Sequence, residues 1–478
     1  MLHDVAPLAV SAATLPALGD RVDAPTYDRA ALRRSIVHIG VGGFHRAHLA
    51  TYIDELANSG NVDWSIVGAG VMASDERMAS VLEAQDHLYT LISRGAAETH
   101  VTIIGSIVDF VLADDDPSPL LDRIASPDTQ IVSMTITEGG YPVDDTTGEF
   151  VPSKSLSTGV FALLALGLDR RRHNGGGPLT VMSCDNIMTN GHVARTAALG
   201  AAALHSGELV DWIEQNVRFP NSMVDRITPA TTPADGEWLE GTHGIADAWP
   251  VVAEPFRQWV VEDDFGGDRL PLESLDVIIT ADIDPYELTK LRLLNAGHSC
   301  LAYLAALDGF ERVDAAMADP ALREFVTQLL HVEAKPTLPA AAGIDLDDYI
   351  ASLIERFSNP GVGDQISRLC LDGTAKFPKF LLPTVRAQLD GSGHVGRSTL
   401  ALAGWCEYLA TSESPSSDPQ LELAVEAARR SLEDPRAFLA LGGVFGDLVD
   451  SPTFVDAFVA ALTALRRDGV QSAVRSAT

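Results

Sequence analysis

Six short runs in the first 285 residues are apolar without alternation: SIVHIG (35–40), WSIVGAG (64–70), VTIIGSIVDFVL (101–112), IVSMTI (131–136), LTVMSC (179–184) and VIITADI (277–283). A strand with one wet face alternates apolar and polar residues, whereas a strand covered on both faces does not. Helical segments such as 45–58 and 195–216 lie between some of these runs, so the pattern predicts an α/β sheet, mostly parallel. Beyond Pro285 the character changes. The segments 286–309, 313–333, 345–358, 378–390, 397–412, 418–442 and 453–468 carry helical periodicity, and no strand run of comparable quality interrupts them. At 478 residues the chain is longer than a single hydrophobic core usually grows. Two domains are therefore expected, 1–285 built on the sheet and 286–478 mostly α-helical. Two low-complexity stretches, RRRHNGGG (170–177) and SESPSSDP (412–419), are expected as exposed loops.

The first run continues into IVHIGVGGFHRAH. A dinucleotide turn needs a strand, glycines that admit a pyrophosphate to the backbone, and a helix N-terminus facing the phosphates. SIVHI supplies the strand, Gly40 and Gly42 the turn, and FHRAHLATYIDELA the helix. His45 stands where a third glycine normally keeps helix and strand close, which implies a wider approach or a helix that begins differently. Past the second run, Asp75 sits where an adenosine ribose presents its hydroxyls and would repel a 2′-phosphate, favouring NAD over NADP. A helix N-cap or first-turn acid is an equal reading of Asp75. The first domain is thus expected to be Rossmann-type and nucleotide-binding.

Composition removes several partners. With 66 acidic residues against 34 basic ones the net charge is −32, which opposes tracking a phosphodiester backbone, so no nucleic-acid partner is expected. Cys184, Cys300, Cys370 and Cys406 are too few and too scattered for a disulfide framework or a paired-ligand zinc site. A reducing cytoplasm fits them. The opening MLHDVAPLAVSAATLPALGD lacks the basic start and apolar core of a signal peptide, and no run of about 18 apolar residues exists, so neither export nor a membrane span is expected.

The segment ELTKLRLLNAGHSCLAYLAAL (287–307) is apolar nearly all round after Lys290, as a buried helix would be. It nevertheless carries Lys290, Asn295 and His298, and burying such groups without partners costs several kcal/mol each. At about 100° per residue, with Lys290 at zero, His298 falls at about 80°, Asn295 at about 140° and Glu287 at about 60°. All four then share one side, fit to line a cleft between two domains. Only five lysines occur, Lys154, Lys290, Lys335, Lys376 and Lys379, against 29 arginines. A lysine kept in an apolar helix is a candidate for amine chemistry, because a desolvated ammonium can lose its proton and a guanidinium cannot. A snorkelling lysine beside a satisfied Asn and His is the bland alternative.

Taken together, IGVGGFHRAH, TITEGGY (135–141), SCDN (183–186), FPNSMVDRITP (219–229) and the spacing K-x4-N-x2-H from Lys290 to His298 closely resemble the mannitol 2-dehydrogenase family of polyol-specific long-chain dehydrogenases. The likeness runs in order from about residue 35 to the C-terminus. The resemblance implies metal-independent hydride transfer between a polyol or ketose and NAD. It assigns Gly40, Val41, Gly42, Gly43, Phe44, Arg46, Asp75, Thr137 and Glu138 to the cofactor. It makes Lys290 the general base, Asn186 and Asn295 the oxyanion donors, and Glu287 the group that passes the proton to solvent. His298, Asp225, Arg368 and Lys376 become substrate contacts. One position departs from the family pattern: Ser74 precedes Asp75 where an acidic pair is usual, which leaves selectivity for NAD over NADP open. Arabinitol, glucitol, a sugar acid or a polyol phosphate are alternative substrates, a zinc-dependent dehydrogenase is disfavoured, and a non-catalytic nucleotide-sensing protein is the alternative from another class. The family includes monomers, and nothing in the sequence demands more.

Overall fold

The computed structural model describes residues 6–61, 63–144, 147–152, 159–391, 393–412 and 417–477. The chain divides into two units, Met1–Ile283 and Asp284–Thr478. The first is organised by six parallel strands: β1 (Arg34–Ile39), β2 (Trp64–Gly70), β3 (Ile107–Leu112), β4 (Thr129–Met134), β5 (Leu179–Ser183) and β6 (Val217–Arg218). Their spatial order is β3-β2-β1-β4-β5-β6, with every pairing parallel. This is the doubly wound dinucleotide-binding order, and its direction reverses between β1 and β4.

The unbroken apolar runs have the expected cause. Val37, Ile39, Val67, Val132, Met134 and Val181 join one core cluster, while Ile36, Ile66, Ile131 and Met182 join another. Successive residues of each strand therefore bury opposite faces. Helices α1 (Gly43–Ala47) and α2 (Leu49–Asn58) follow β1, while α3 (Val160–His173) and α4 (Asn190–Ala203) flank β5 in the chain. Side chains of α2 enter the second cluster and those of α3 and α4 the first.

Several boundaries differ from expectation. The run 101–112 is two strands, not one. Thr99–Ile104 pairs antiparallel with Tyr89–Arg94 in a separate three-stranded sheet completed by Val251–Ala253, and only β3 joins the parallel sheet. The chain bends at Gly105, whose N–H donates to Asp54 Oδ1 at 2.7 Å while its carbonyl accepts from Arg29 Nε at 2.9 Å. Likewise 277–283 yields only Ile278–Thr280, paired with Gln258–Glu262, which in turn pairs with Ser222–Asp225. The helix expected at 195–216 is α4 and a second helix, Gly207–Asn216, whose start is capped by Ser206 Oγ accepting from Leu209 N at 3.1 Å.

RRRHNGGG is not a loop throughout. Its first four residues end α3, and the buried Arg171 guanidinium donates to the carbonyls of Ile124, Ser126, Thr129, Gly177 and Pro178. Of SESPSSDP, residues 413–416 lie outside the described residues.

The second unit is helical. Helices α5 (Asp284–Thr289) and α6 (Ala296–Leu307) are joined by a π-helical turn over Lys290–Asn295, and a second π turn spans Leu329–Ala334. Further on come α7 (Leu346–Phe357), α8 (Gly396–Thr411) and α9 (Pro452–Ser476). The segment 313–333 breaks at Asp319, whose side chain caps Pro320–Gln328, and 378–390 separates into Gly373–Phe380 and Leu382–Asp390. The segment 418–442 holds an α-helix over Leu421–Arg430 and a 3-10 helix over Pro435–Ala440. From the second π turn, the fully buried Glu333 caps α8, accepting from the N–H groups of Arg397 and Ser398 at 2.7 and 2.9 Å. Removing that carboxylate would take the acceptor from both N–H groups and from the Ser398 hydroxyl.

Candidate active site

Gly40 follows β1 with φ +90°, and a Cβ there would overlap the carbonyl oxygen of Thr135. Glycine is required by conformation and by space. At Gly42 an added Cβ would meet nothing nearer than 4.0 Å, and at Gly43 nothing nearer than 3.6 Å. Packing inside the protein does not explain those two. A ligand approaching that stretch would find the backbone open.

His45 resolves the irregular motif. Its ring is buried and stacks on His38 of β1, centroids 3.4 Å apart, filling the space that a third glycine would leave. His38 is gripped from β4: Nδ1 lies 2.8 Å from Ser133 Oγ and Nε2 3.0 Å from Thr135 Oγ1. Because the Thr135 hydroxyl donates to the Gly40 carbonyl at 2.7 Å, its oxygen accepts from Nε2–H, and Nδ1 accepts from Ser133. Burial holds His38 neutral by pushing its pKa down to about 3. The helix expected over 45–58 is broken at His48 (φ −122°, ψ −91°), whose Nε2 donates to the Gln258 carbonyl at 3.0 Å, so α1 is a single turn. His38 carried a signal that sequence reading passed over, since a lone imidazole in a strand covered on both faces must be hydrogen-bonded.

Thr137 and Glu138 leave the carboxyl end of β4, beside the end of β1, and Asn186 leaves the end of β5; all three are exposed. They stand with Gly42 along the carboxyl edge at the switch point, where open α/β sheets bind ligands. Val41 is buried, and Phe44 is half-buried with its ring 5.0 Å from that of His48. Asp75 is half-buried and closes its own loop, its Oδ2 accepting from the N–H groups of Val71 and Met72 at 2.9 and 3.1 Å. Arg46, expected to face the cofactor, is only 2% exposed: it donates to the Trp249 carbonyl at 2.5 Å and lies over the rings of Tyr89 and Trp249. Its guanidinium braces the turn from inside. Asp225 is buried at the end of the strand Ser222–Asp225.

In the second unit, Glu287, Lys290 and His298 are 5%, 8% and 7% exposed. The straight α-helix expected there is replaced across Lys290–Asn295 by a π turn. Hydrogen bonding from i to i+5 brings residues five apart round to one face, so Asn295 returns toward Lys290 rather than sitting about 140° away. The Asn295 Nδ2 atom is buried and meets no hydrogen-bond acceptor among the described residues. His298 stacks on Phe357 at 3.9 Å. Arg368 is held by Asp364 through Nε and Nη2, at 2.8 and 2.6 Å, and Lys376 is half-buried on Gly373–Phe380.

A family model for the mannitol dehydrogenase Rossmann domain matches residues 34–274, and one for the mannitol dehydrogenase C-terminal domain matches residues 282–466. The chain belongs to the mannitol dehydrogenase family. The family's activity is NAD-dependent oxidoreduction at CH–OH groups. The mannitol 2-dehydrogenase of Emericella nidulans is 40% identical over 482 residues, covering 96% of this chain and 96% of that protein. The solved ternary complex of Pseudomonas fluorescens mannitol 2-dehydrogenase with NAD and D-mannitol is 42% identical, with a TM-score of 0.87 over 98% of this chain and 99% of that one. A D-sorbitol dehydrogenase solved in substrate-free form is 36% identical, with a TM-score of 0.89 over 97% of this chain and 100% of its own. No helix among the described residues is long and apolar enough to cross a membrane.

Proposed function

We propose that this chain is an NAD-dependent polyol dehydrogenase that interconverts D-mannitol and D-fructose, with a lysine base and no metal. The observation that carries the reading is a buried amine, Lys290, on the same π turn as a buried amide nitrogen, Asn295 Nδ2, that meets no acceptor among the described residues. A buried donor without a partner costs about 1–3 kcal/mol, so such an atom suits an oxygen that arrives with a ligand. The nucleotide turn fits NAD, since the open approach at Gly42 and Gly43 admits a phosphate to backbone N–H groups.

Bound NAD supplies the acceptor for the hydride that leaves the carbinol carbon. Lys290, as the neutral amine, takes the hydroxyl proton, and Glu287 hands it on to solvent. Asn186 and Asn295 donate to the alkoxide oxygen as its charge develops. His298, Asp225 and Lys376 hold the remaining hydroxyls, and Arg368 offers Nη1, the nitrogen its pair with Asp364 does not use. Gly40, Gly42, Gly43, Thr137 and Glu138 line the cofactor, while Val41, Phe44, Arg46 and Asp75 shape the loops behind it. Four free, buried cysteines suit a reducing cytoplasm, and we take the enzyme to act as a monomer.

D-glucitol is the second reading, favoured by the likeness to the D-sorbitol dehydrogenase. A panel of D-mannitol, D-glucitol and D-arabinitol, each with NAD and NADP, separates the two: D-mannitol with NAD is expected to give the highest kcat/KM. Silence across the whole panel would reject the enzyme reading. Lys290→Ala is expected to lower turnover by orders of magnitude while NADH still binds, and retained turnover would remove Lys290 from the role of base.

A further inference from the structure

Asp185 lies two residues beyond Ser183, the end of β5, and just before Asn186; the mechanism above gives it no part. Its carboxylate is buried and reaches across to the segment that leaves β4. Oδ1 accepts the N–H of Thr137 at 2.8 Å. Oδ2 accepts the N–H of Ile136 at 3.0 Å and the hydroxyl of Tyr141 at 2.6 Å. Thr137 between these contacts has φ +61° and ψ 166°. That region is comfortable for glycine and foreign to a β-branched residue, and such a conformation persists only where its surroundings over-determine it. Two successive N–H groups gripped by one buried carboxylate provide that restraint.

The Asp185 backbone is fixed in turn. Asn190 Nδ2 donates to its carbonyl at 3.0 Å and to the Ser222 carbonyl at 2.7 Å, and Asn190 Oδ1 accepts the Ser222 N–H at 2.9 Å. Asp185 thus holds the loop of Thr137 and Glu138 beside Asn186, and Asn190 ties its backbone to the strand that ends at Asp225. A carboxylate that served the fold alone would have no need of a strained partner at an exposed position.

We propose that Asp185 is a positioning residue for the cofactor: by holding Thr137 at positive φ, it fixes the 136–138 loop in register with Asn186. The proposal rests on the NAD reading, so the test begins with NADH titration of the unaltered chain, where absence of binding overturns both. Where NADH binds, Asp185→Asn, which keeps the shape and loses one acceptor, is expected to raise its dissociation constant at least about ten-fold. In a Thr137→Gly background, where positive φ carries no strain, the same change is expected to cost less than about three-fold.

A purely structural role would lower the fraction of active protein, leave the dissociation constant of the folded remainder unchanged and show no rescue by glycine. Unaltered NADH affinity in Asp185→Asn, or an equal loss in both backgrounds, overturns the proposal alone. Should Asp185→Asn not fold, Thr137→Pro at the exposed position removes the same N–H and forbids positive φ. It is expected to weaken NADH binding at least about ten-fold, and unchanged binding there overturns the proposal as well.

Discussion

Gly40 and Gly42 stand two residues apart and are glycine for different reasons. The first is demanded by the chain itself, through a positive φ and the Thr135 carbonyl pressed against it. The second faces open space. Gly40→Ala should therefore lower the melting temperature, by a conformational cost of about 1 kcal/mol or more before any overlap is counted. Gly42→Ala should melt within a degree or two of the parent and bind NADH at least about ten-fold more weakly, because a methyl group would occupy the space where a phosphate meets the backbone. Calorimetry beside NADH titration separates the two, and a Gly42→Ala variant that binds normally would show that the turn holds no phosphate. For Asn295, replacement by Ala should cost about 2.7–4 kcal/mol in kcat if its orphaned amide is an oxyanion donor. A change confined to KM would make it a group that only positions substrate.

At the level of elements, β1 and the helices after it carry an acid sensitivity. His38 and His48 have pKa values pushed down to about 3 by burial, whereas an unfolded histidine titrates near its ordinary value of about 6.5. Between those limits the unfolded chain holds more protons, so stability is present above about pH 6.5 and is lost as pH falls toward 3. From pH 6.5 to 5 each histidine removes on the order of 1–2 kcal/mol. Asp54, raised to about 6 by burial, works the other way and returns only about 1 kcal/mol over the same interval. Urea midpoints should fall from pH 7 to pH 5, and equal midpoints would contradict neutral buried imidazoles.

What the sequence disclosed follows from what is local. Val37 and Ile36 face opposite cores, and a run apolar on both faces is visible in the letters. The bend at Gly105 is not settled by the letters, because a glycine inside such a run also fits a bulge in one continuous strand, and the acceptor that turns it, Asp54, lies on another element. Lys290, Asn295 and His298 were conspicuous as polar groups in an apolar helix, yet nothing in KLRLLN announces a π turn. Asp185 stayed hidden because its importance depends on the backbone of Thr137, 48 residues earlier.

Over the whole molecule, 66 acids against 34 bases set a negative field that an anionic cofactor must approach. The Debye length shrinks from about 30 Å at 0.01 M salt to about 8 Å at 0.15 M. NADH association should accordingly quicken with added salt, while the KM for an uncharged polyol stays flat; stopped-flow rates that fall with salt would point to local positive steering at the turn.

The parallel sheet also separates two kinds of vulnerability. Gly42, Thr137, Glu138 and Asn186 all stand at the carboxyl ends of strands, whereas Arg171 grips backbone carbonyls around the amino ends of β4 and β5. In a library of single variants scored for cellular abundance and for turnover, changes near Arg171 would deplete the protein, and changes at the opposite rim would leave it plentiful but idle. Position along the strand axis would sort one phenotype from the other.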